Sequence, residues 1–335
     1  MYHVIIAGGI GSRFWPMSTE HKPKQFLNLL GDKSLIKSTY DRLLKISDPQ
    51  KIFIVTSEKY KDHIKEQIPN IDNHNIIYEP KPKNTAPAIY LALKHLCRLE
   101  TNPIVGVYPS DHYIQHENKF YEAINKVIMF IDNNNKSIVT LGIKPEYPST
   151  GYGYINIRET KDEINKVNKF IEKPNLDKAK SLIKDSNNLW NSGMFFFRLE
   201  TMINEIDKYI PEINELFLNF DTNDINDIWD SIPSKSIDYG VMEKTDLSYC
   251  IKSSIGWSDV GTWFALYDLL EKDKFGNAIK GNVVVQNSSN NLIISDNEQI
   301  SIIGLDNMAI ICIKNKTLVI DLSQSEDVKH IIKSS

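Results

Sequence analysis

Gly8, Gly9 and Gly11, then Arg13 and Lys24, crowd the stretch AGGIGSRFWPMSTEHKPKQF from Ala7 to Phe26. Glycines let the backbone turn tightly and expose successive N–H groups, and such a run of donors binds anions. Arg13 adds a planar fork of donors and Lys24 a point charge. The chemistry these residues fit is the cradling of a nucleoside triphosphate's phosphates. Two familiar phosphate loops do not match. No Gly-Lys pair follows Gly8 or Gly9 at the spacing of GxxxxGK[ST], and the third position of GxGxxG, counted from Gly9 and Gly11, is Phe14. The loop is of another kind.

Further polar residues stand where strands should end. Pro109-Ser110-Asp111-His112 presents a carboxylate that can hold a metal or a ribose, and alone it also reads as a cap on the next turn. Glu79 precedes Lys83-Asn84-Thr85-Ala86-Pro87, a helix start in which Asn84 or Thr85 caps and Pro87 fits the first turn. Gly153 in GYGYI leaves room for a sugar ring to approach the backbone. Glu172 and Lys173 close the segment FIEKP, and Asn191-Ser192-Gly193 precedes the apolar run Met194–Phe197. Asp259 lies between aromatic residues in WSDVGTW.

The elements that must position these groups follow from periodicity. Apolar runs at 2–7, 51–56, 75–78, 103–108 and 136–141 read as strands, and 34–44, 59–68, 85–97 and 117–131 as helices. Strand–helix alternation predicts an α/β fold on a parallel sheet covered on both faces, with ligands beyond the carboxyl ends of the strands. Residues 198–250 read mostly as helices, and a further helix is expected over 264–272. Residues 281–335 hold five short apolar runs separated by Asn, Ser, Asp and Gly, the pattern of short strands that coil as a small β-solenoid. The expected division is a catalytic domain over 1–265, a helical linker over 266–280 and the solenoid over 281–335. The net charge of −4 gives no reason to expect nucleic acid as a partner. Three cysteines without CxxC spacing argue against a zinc site or a disulfide framework and fit a reducing compartment. No signal peptide precedes the first strand and no apolar run approaches a membrane span, so a cytoplasmic protein is expected, with no membrane partner.

GGIGSRFWPMS followed by PKQF, then PSDH, GYGYI, FIEKP, NSGMFFF and WSDVGTW in that order, resembles the mannose-1-phosphate guanylyltransferases, also called GDP-mannose pyrophosphorylases, over nearly the whole chain. Ser12 and Trp15-Pro16 side with this guanylyl branch of the sugar nucleotidyltransferases. The resemblance implies a Rossmann-like mixed, mainly parallel sheet with helices on both faces and a small C-terminal β-helix-like domain, in a homodimer. It implies transfer of GMP from GTP to α-D-mannose 1-phosphate, giving GDP-mannose and pyrophosphate, with Mg2+ as cofactor. By the same resemblance, Asp111 and Asp259 hold the metal, Arg13 and Lys24 bind the leaving pyrophosphate, and Lys173 neutralises the sugar phosphate. Gly153, Glu172 and Asn191 bind the sugar, and Gly8, Gly9, Gly11, Ser12, Glu79, Asn84 and Ser110 the nucleotide. Two alternatives stay open: a guanylyltransferase for another sugar 1-phosphate, such as a heptose or glucose, and a catalytically silent regulatory homologue. The chain ends before an isomerase domain of the fused members would begin, so a monofunctional enzyme is expected.

Overall fold

The computed structural model describes residues 1–9, 12–160, 162–217, 225–296 and 299–331. Gly11 lies outside the described residues, and of Ser12 only the backbone is described. The chain forms two compact units. One takes Met1–Gly8, Thr39–Ser110 and Ile114–Trp257, and the other Gly9–Ser38, Asp111–Tyr113 and Ser258–Ser335.

The first unit is built on a sheet whose described strands are β1 (Tyr2–Ile6), β2 (Ile52–Ser57), β3 (Ile76–Glu79), β4 (Ile104–Pro109), β5 (Ile138–Ile143), β6 (Tyr154–Ile157), β7 (Ile164–Ile171), β8 (Asn188–Arg198) and β9 (Ser248–Ser253). Their order across the sheet is β3-β2-β1-β4-β8-β5-β9-β7-β6. From β3 to β4 every pairing is parallel, as strands joined by helical crossovers require. The helices Lys61–Gln67 and Thr85–Leu96 supply two of those crossovers. Beyond β4 the sheet is mixed. β8 runs antiparallel between β4 and β5, β9 is parallel to β5, and β6 and β7 pair antiparallel.

Alternation along the strands separates the two covered faces. Tyr2 and Val4 of β1, Phe53 and Val55 of β2, and Phe195 and Phe197 of β8 share a core with the helix Thr85–Leu96 and with Leu199, Met202 and Ile206 of the helix Leu199–Tyr209. The residues between them face the other way. His3 donates to or accepts from the Tyr108 hydroxyl at 2.9 Å, and the Tyr108 ring meets Phe196 at 5.6 Å and Phe120, on the helix Glu117–Asn133, at 6.3 Å. Burial first, and the N-terminal charge second, push the His3 imidazole down to about 3, so it sits in this layer uncharged.

The second unit has its own core. Phe14, Leu27, Leu29 and Leu35 from the N-terminal segment pack with Val260, Trp263 and Leu266 and with Leu292, Ile294, Ala309 and Ile311. Strands Ala278–Lys280, Leu292–Ser295 and Met308–Ile313 stack in parallel, as do Val283–Gln286 and Ile300–Ile303, and Lys316–Asp321 folds back antiparallel on Met308–Ile313. These are the rungs of a β-helix-like coil. Buried Asn291 stitches its corner: its amide donates to Asn277 Oδ1 at 3.0 Å and to the Leu305 carbonyl, and its Oδ1 accepts from the Met308 N–H. Trp263 is fully buried with its ring 4.8 Å from that of Phe14. Trp263→Ala should therefore cost about 3–5 kcal/mol of stability in chemical denaturation; a loss below about 1 kcal/mol would show that this core is not packed as described.

Candidate active site

The first group of site residues lies wholly in the second unit. Gln25 donates through Nε2 to the Gly9 carbonyl at 3.0 Å, closing the N-terminal turn. Phe14 anchors the short 3-10 turn Ser12–Phe14 in the core, which leaves Arg13 exposed. Pro23 opens a second 3-10 turn, Lys24–Phe26, all of it buried. A buried ammonium needs partners, and Lys24, only 6% exposed, has two: the Asp111 carboxylate at 2.8 Å and the Asp259 carbonyl. The sequence places these three far apart, and the fold joins them around one positive charge. Burial pushes the Asp111 carboxyl up, but Lys24, His112 and the hydrogen bond from Lys24 outweigh it and hold the group below the ordinary carboxylate range.

The turn at Asp259 is held by strain. Val260 has φ +45°, a conformation costly for a β-branched residue, and is kept there by full burial beside Trp263 and by its N–H donating to Ser258 Oγ at 3.0 Å. The Asp259 carboxyl folds over Gly261, where a Cβ would lie 2.5 Å from Oδ2. The Asp111 and Asp259 carboxyls are hard oxygen donors of the kind that suit a divalent cation, which is commonly bound by one or two carboxylates plus substrate phosphates. Among the described residues no group of three or more His, Cys, Asp or Glu forms an all-protein cage.

The second group lies in the first unit, where β1 and β3 end. Ala7 N–H bonds the Val55 carbonyl at 2.8 Å, which brings Gly8 against Glu79. A Cβ at Gly8 would meet Glu79 Oε1 at 2.3 Å, so the glycine makes room for this carboxyl. Glu79 is 3% exposed, and burial pushes it up to about 7. Asn84, at φ +72°, caps the following helix by accepting from the Thr85 N–H at 3.0 Å. Ser110 is buried, with its N–H on the Ile6 carbonyl.

The third group gathers Gly153, Glu172, Lys173 and Asn191, also in the first unit. The β5–β8 pairing shifts register between Thr140 and Gly142, opposite Asn191, and such an irregularity re-aims side chains. Asn191 Oδ1 accepts from the Gly193 N–H at 3.0 Å and from Thr140 Oγ1 at 3.2 Å, while its Nδ2 donates to Asp238 at 3.0 Å. Lys173, at φ +40°, turns back to pair with Glu172 at 2.6 Å. A Cβ at Gly153 would meet Glu172 Oε2 at 2.5 Å, so the glycine makes room for this carboxyl. Asp238, the partner of Asn191, carries no signal in the sequence. It falls among acids scattered along a stretch read as helical, and nothing in its spacing marks it. The expected helices over 198–250 are also incomplete, because Ser248–Ser253 is strand β9 inside the sheet.

Residues 2–275 match the family model for nucleotidyl transferases, and residues 281–334 that for the MannoseP isomerase/GMP-like beta-helix domain. A mannose-1-phosphate guanylyltransferase of Klebsiella pneumoniae is 37% identical over 347 residues, covering 98% of this chain and 73% of that protein. One of Salmonella typhimurium is 38% identical over 349 residues, covering 98% and 71%. The chain belongs to the mannose-1-phosphate guanylyltransferase family. A solved structure from Thermus thermophilus, described as a mannose-1-phosphate geranyltransferase, superposes with a TM-score of 0.93 at 26% identity and covers 99% of this chain and 98% of its own. The family's α/β domain and β-helix-like domain are thus both present. A UDP-glucose pyrophosphorylase, at 17% identity and a TM-score of 0.52, shares the fold.

Glu79 supplies a pH test. Its folded carboxyl, raised from 4.5 to about 7, favours the protonated state. The stability this contributes is complete below the unfolded value and is lost as pH rises through 7. Glu79→Gln should abolish that loss, so the variant gains on the parent by on the order of 3 kcal/mol between pH 4 and pH 8.5, read by urea denaturation at each pH. Parallel stability curves would refute the buried state of Glu79.

Proposed function

We propose that this protein transfers the guanylyl group of GTP to α-D-mannose 1-phosphate, releasing pyrophosphate and forming GDP-mannose. The observation that carries the mechanism is the meeting of Lys24, Asp111 and Asp259 beside the glycine turn of a family member. A phosphate monoester has a second pKa near 6. The sugar phosphate is therefore mostly dianionic at neutral pH and attacks the α-phosphorus without a general base. One P–O bond forms, the bond between the α and β phosphates breaks, and pyrophosphate leaves with the electron pair.

Such a transfer needs in-line alignment and charge neutralisation. Exposed Arg13 and the ammonium of Lys24 serve the leaving pyrophosphate, and Lys173, whose side chain is 55% exposed, meets the sugar phosphate. Nucleotidyltransferases generally use a divalent metal. Mg2+ on Asp111 and Asp259 would supply the remaining countercharge to the phosphates. In this reading Glu79, for which Gly8 makes room, accepts from the N–H groups of guanine, with Gly9, Gly11, Ser12, Asn84 and Ser110 along the nucleotide. Gly153, Glu172 and Asn191 take the mannose side. The expected linker over 266–280 is only partly helical, since the helix Trp263–Leu269 ends early and Ala278–Lys280 is already a rung of the coil expected over 281–335. The chemistry expected within 1–265 is assigned here to an enzyme that acts as a homodimer in the cytoplasm. No helix among the described residues is long and apolar enough to cross a membrane.

Pyrophosphate release measured over a panel of nucleotides and sugar 1-phosphates tests this directly: GTP with mannose 1-phosphate should give the highest kcat/KM. Arg13→Ala and Asp259→Ala should each lower kcat by roughly 10²–10³ with the fold intact, as loss of a positioned transition-state charge contact does; near-normal turnover in both would sink the assignment. Glu172→Gln should raise the KM for the sugar phosphate with little change in that for GTP, and an unchanged sugar KM would remove Glu172 from the binding set.

A further inference from the structure

One side chain beside the proposed sugar group has no role in the scheme above. Asp238 opens a π-helical turn, Asp238–Met242, of the kind that often marks functional sites. Its carboxyl accepts from Asn191 Nδ2 at 3.0 Å. Since Asn191 Oδ1 is already engaged by Gly193 and Thr140, this bond fixes the last free rotation of the carboxamide and leaves one Nδ2–H unspent. The same turn reaches Glu172 from the other side: Glu243 accepts from the Glu172 backbone N–H at 3.2 Å and donates its own N–H to the Asp238 carbonyl at 3.0 Å.

The turn is itself clamped. Lys235 donates to the Lys83 carbonyl and accepts from the Ala86 N–H, and the Ile237 N–H donates to Thr85 Oγ1 at 2.8 Å. The segment that carries Asp238 is therefore pinned to the start of the helix Thr85–Leu96, the element capped by Asn84. Burial first, and Glu172 second, push the Asp238 carboxyl up to about 7.

We infer that Asp238 is a positioning residue for sugar selection: it orients Asn191 against Glu172 so that the remaining Asn191 N–H and the Glu172 carboxyl read adjacent hydroxyls of a hexose 1-phosphate. The inference rests on the transferase reading and names a determinant of its sugar specificity. Asp238 acts through Asn191, while the nucleotide-side residues are untouched.

The test is steady-state kinetics of Asp238→Ala and Asp238→Asn in the full chain, with mannose 1-phosphate and its epimer glucose 1-phosphate. Loss of one oriented hydrogen bond at this half-buried site predicts a rise of about tenfold in the mannose 1-phosphate KM for Asp238→Ala, with kcat and the GTP KM within about twofold. The preference for mannose 1-phosphate over glucose 1-phosphate should fall with it. Asp238→Asn keeps an oxygen for Asn191 Nδ2 and should recover most of the loss. A sugar KM unchanged in Asp238→Ala overturns the inference, and so does an equal rise in both KM values or an Asn variant as impaired as the Ala variant. Should Asp238→Ala not fold, Thr85→Val removes the acceptor of the Ile237 N–H at constant shape. It should raise the sugar KM and spare the GTP KM, and no change in the sugar KM overturns the role. A parent enzyme that releases no pyrophosphate with any hexose 1-phosphate refutes the transferase reading itself. An active parent with unaltered variants refutes only Asp238.

Discussion

A single buried ammonium organises the candidate residues of the second unit. Lys24 is buried in the second unit, where its ammonium donates to the Asp111 carboxylate and the Asp259 carbonyl. That pairing draws together the turn Lys24–Phe26, Asp111 and the turn before Trp263. It also keeps Asp111 ionised, the state in which a carboxyl can hold a cation. The Asp111 ion pair and the Asp259 carbonyl offset the cost of burying the charge, while Phe14, Leu27, Val260 and Trp263 of the same unit form one core.

A second constraint recurs at each group of candidate residues. Gly8 yields to Glu79, Gly153 to Glu172 and Gly261 to Asp259, in every case with less than 3 Å between the absent Cβ and a carboxyl oxygen. The glycines next to polar motifs are thus seats for carboxyls as much as flexible joints. Backbone strain sits beside them. Asn84, Lys173 and Val260 all take positive φ; the first two are themselves candidate site residues, and Val260 follows Asp259. Such conformations persist only where surrounding bonds and packing over-determine them. Here the helix cap at Asn84, the Glu172 ion pair and the burial of Val260 do so.

Chain order and periodicity carried much of the architecture. The strands at β1 to β5 and the helices between them stand where apolar runs and caps put them, because parallel strands buried on both faces must be apolar throughout. The coil of short strands after residue 281 was equally plain, since turn residues separate its runs. Strand direction was not legible beyond β4. The apolar runs of β8 and β9 look alike whether they pair parallel or antiparallel, and β9 hid among residues that read as helix.

The amino-acid sequence by itself determined which residue types stand in the glycine turn, in PSDH, FIEKP, NSGMFFF and WSDVGTW, and through them the family and the class of chemistry. Tertiary structure alone decided who meets whom. Lys24, Asp111 and Asp259 share no local pattern, so only folding can bring them within hydrogen-bond reach, and Asp238 becomes visible only when Asn191 points at it. Hydrogen bonds and ion pairs are short-ranged and directional, while sequence spacing fixes only which face of an element a side chain takes.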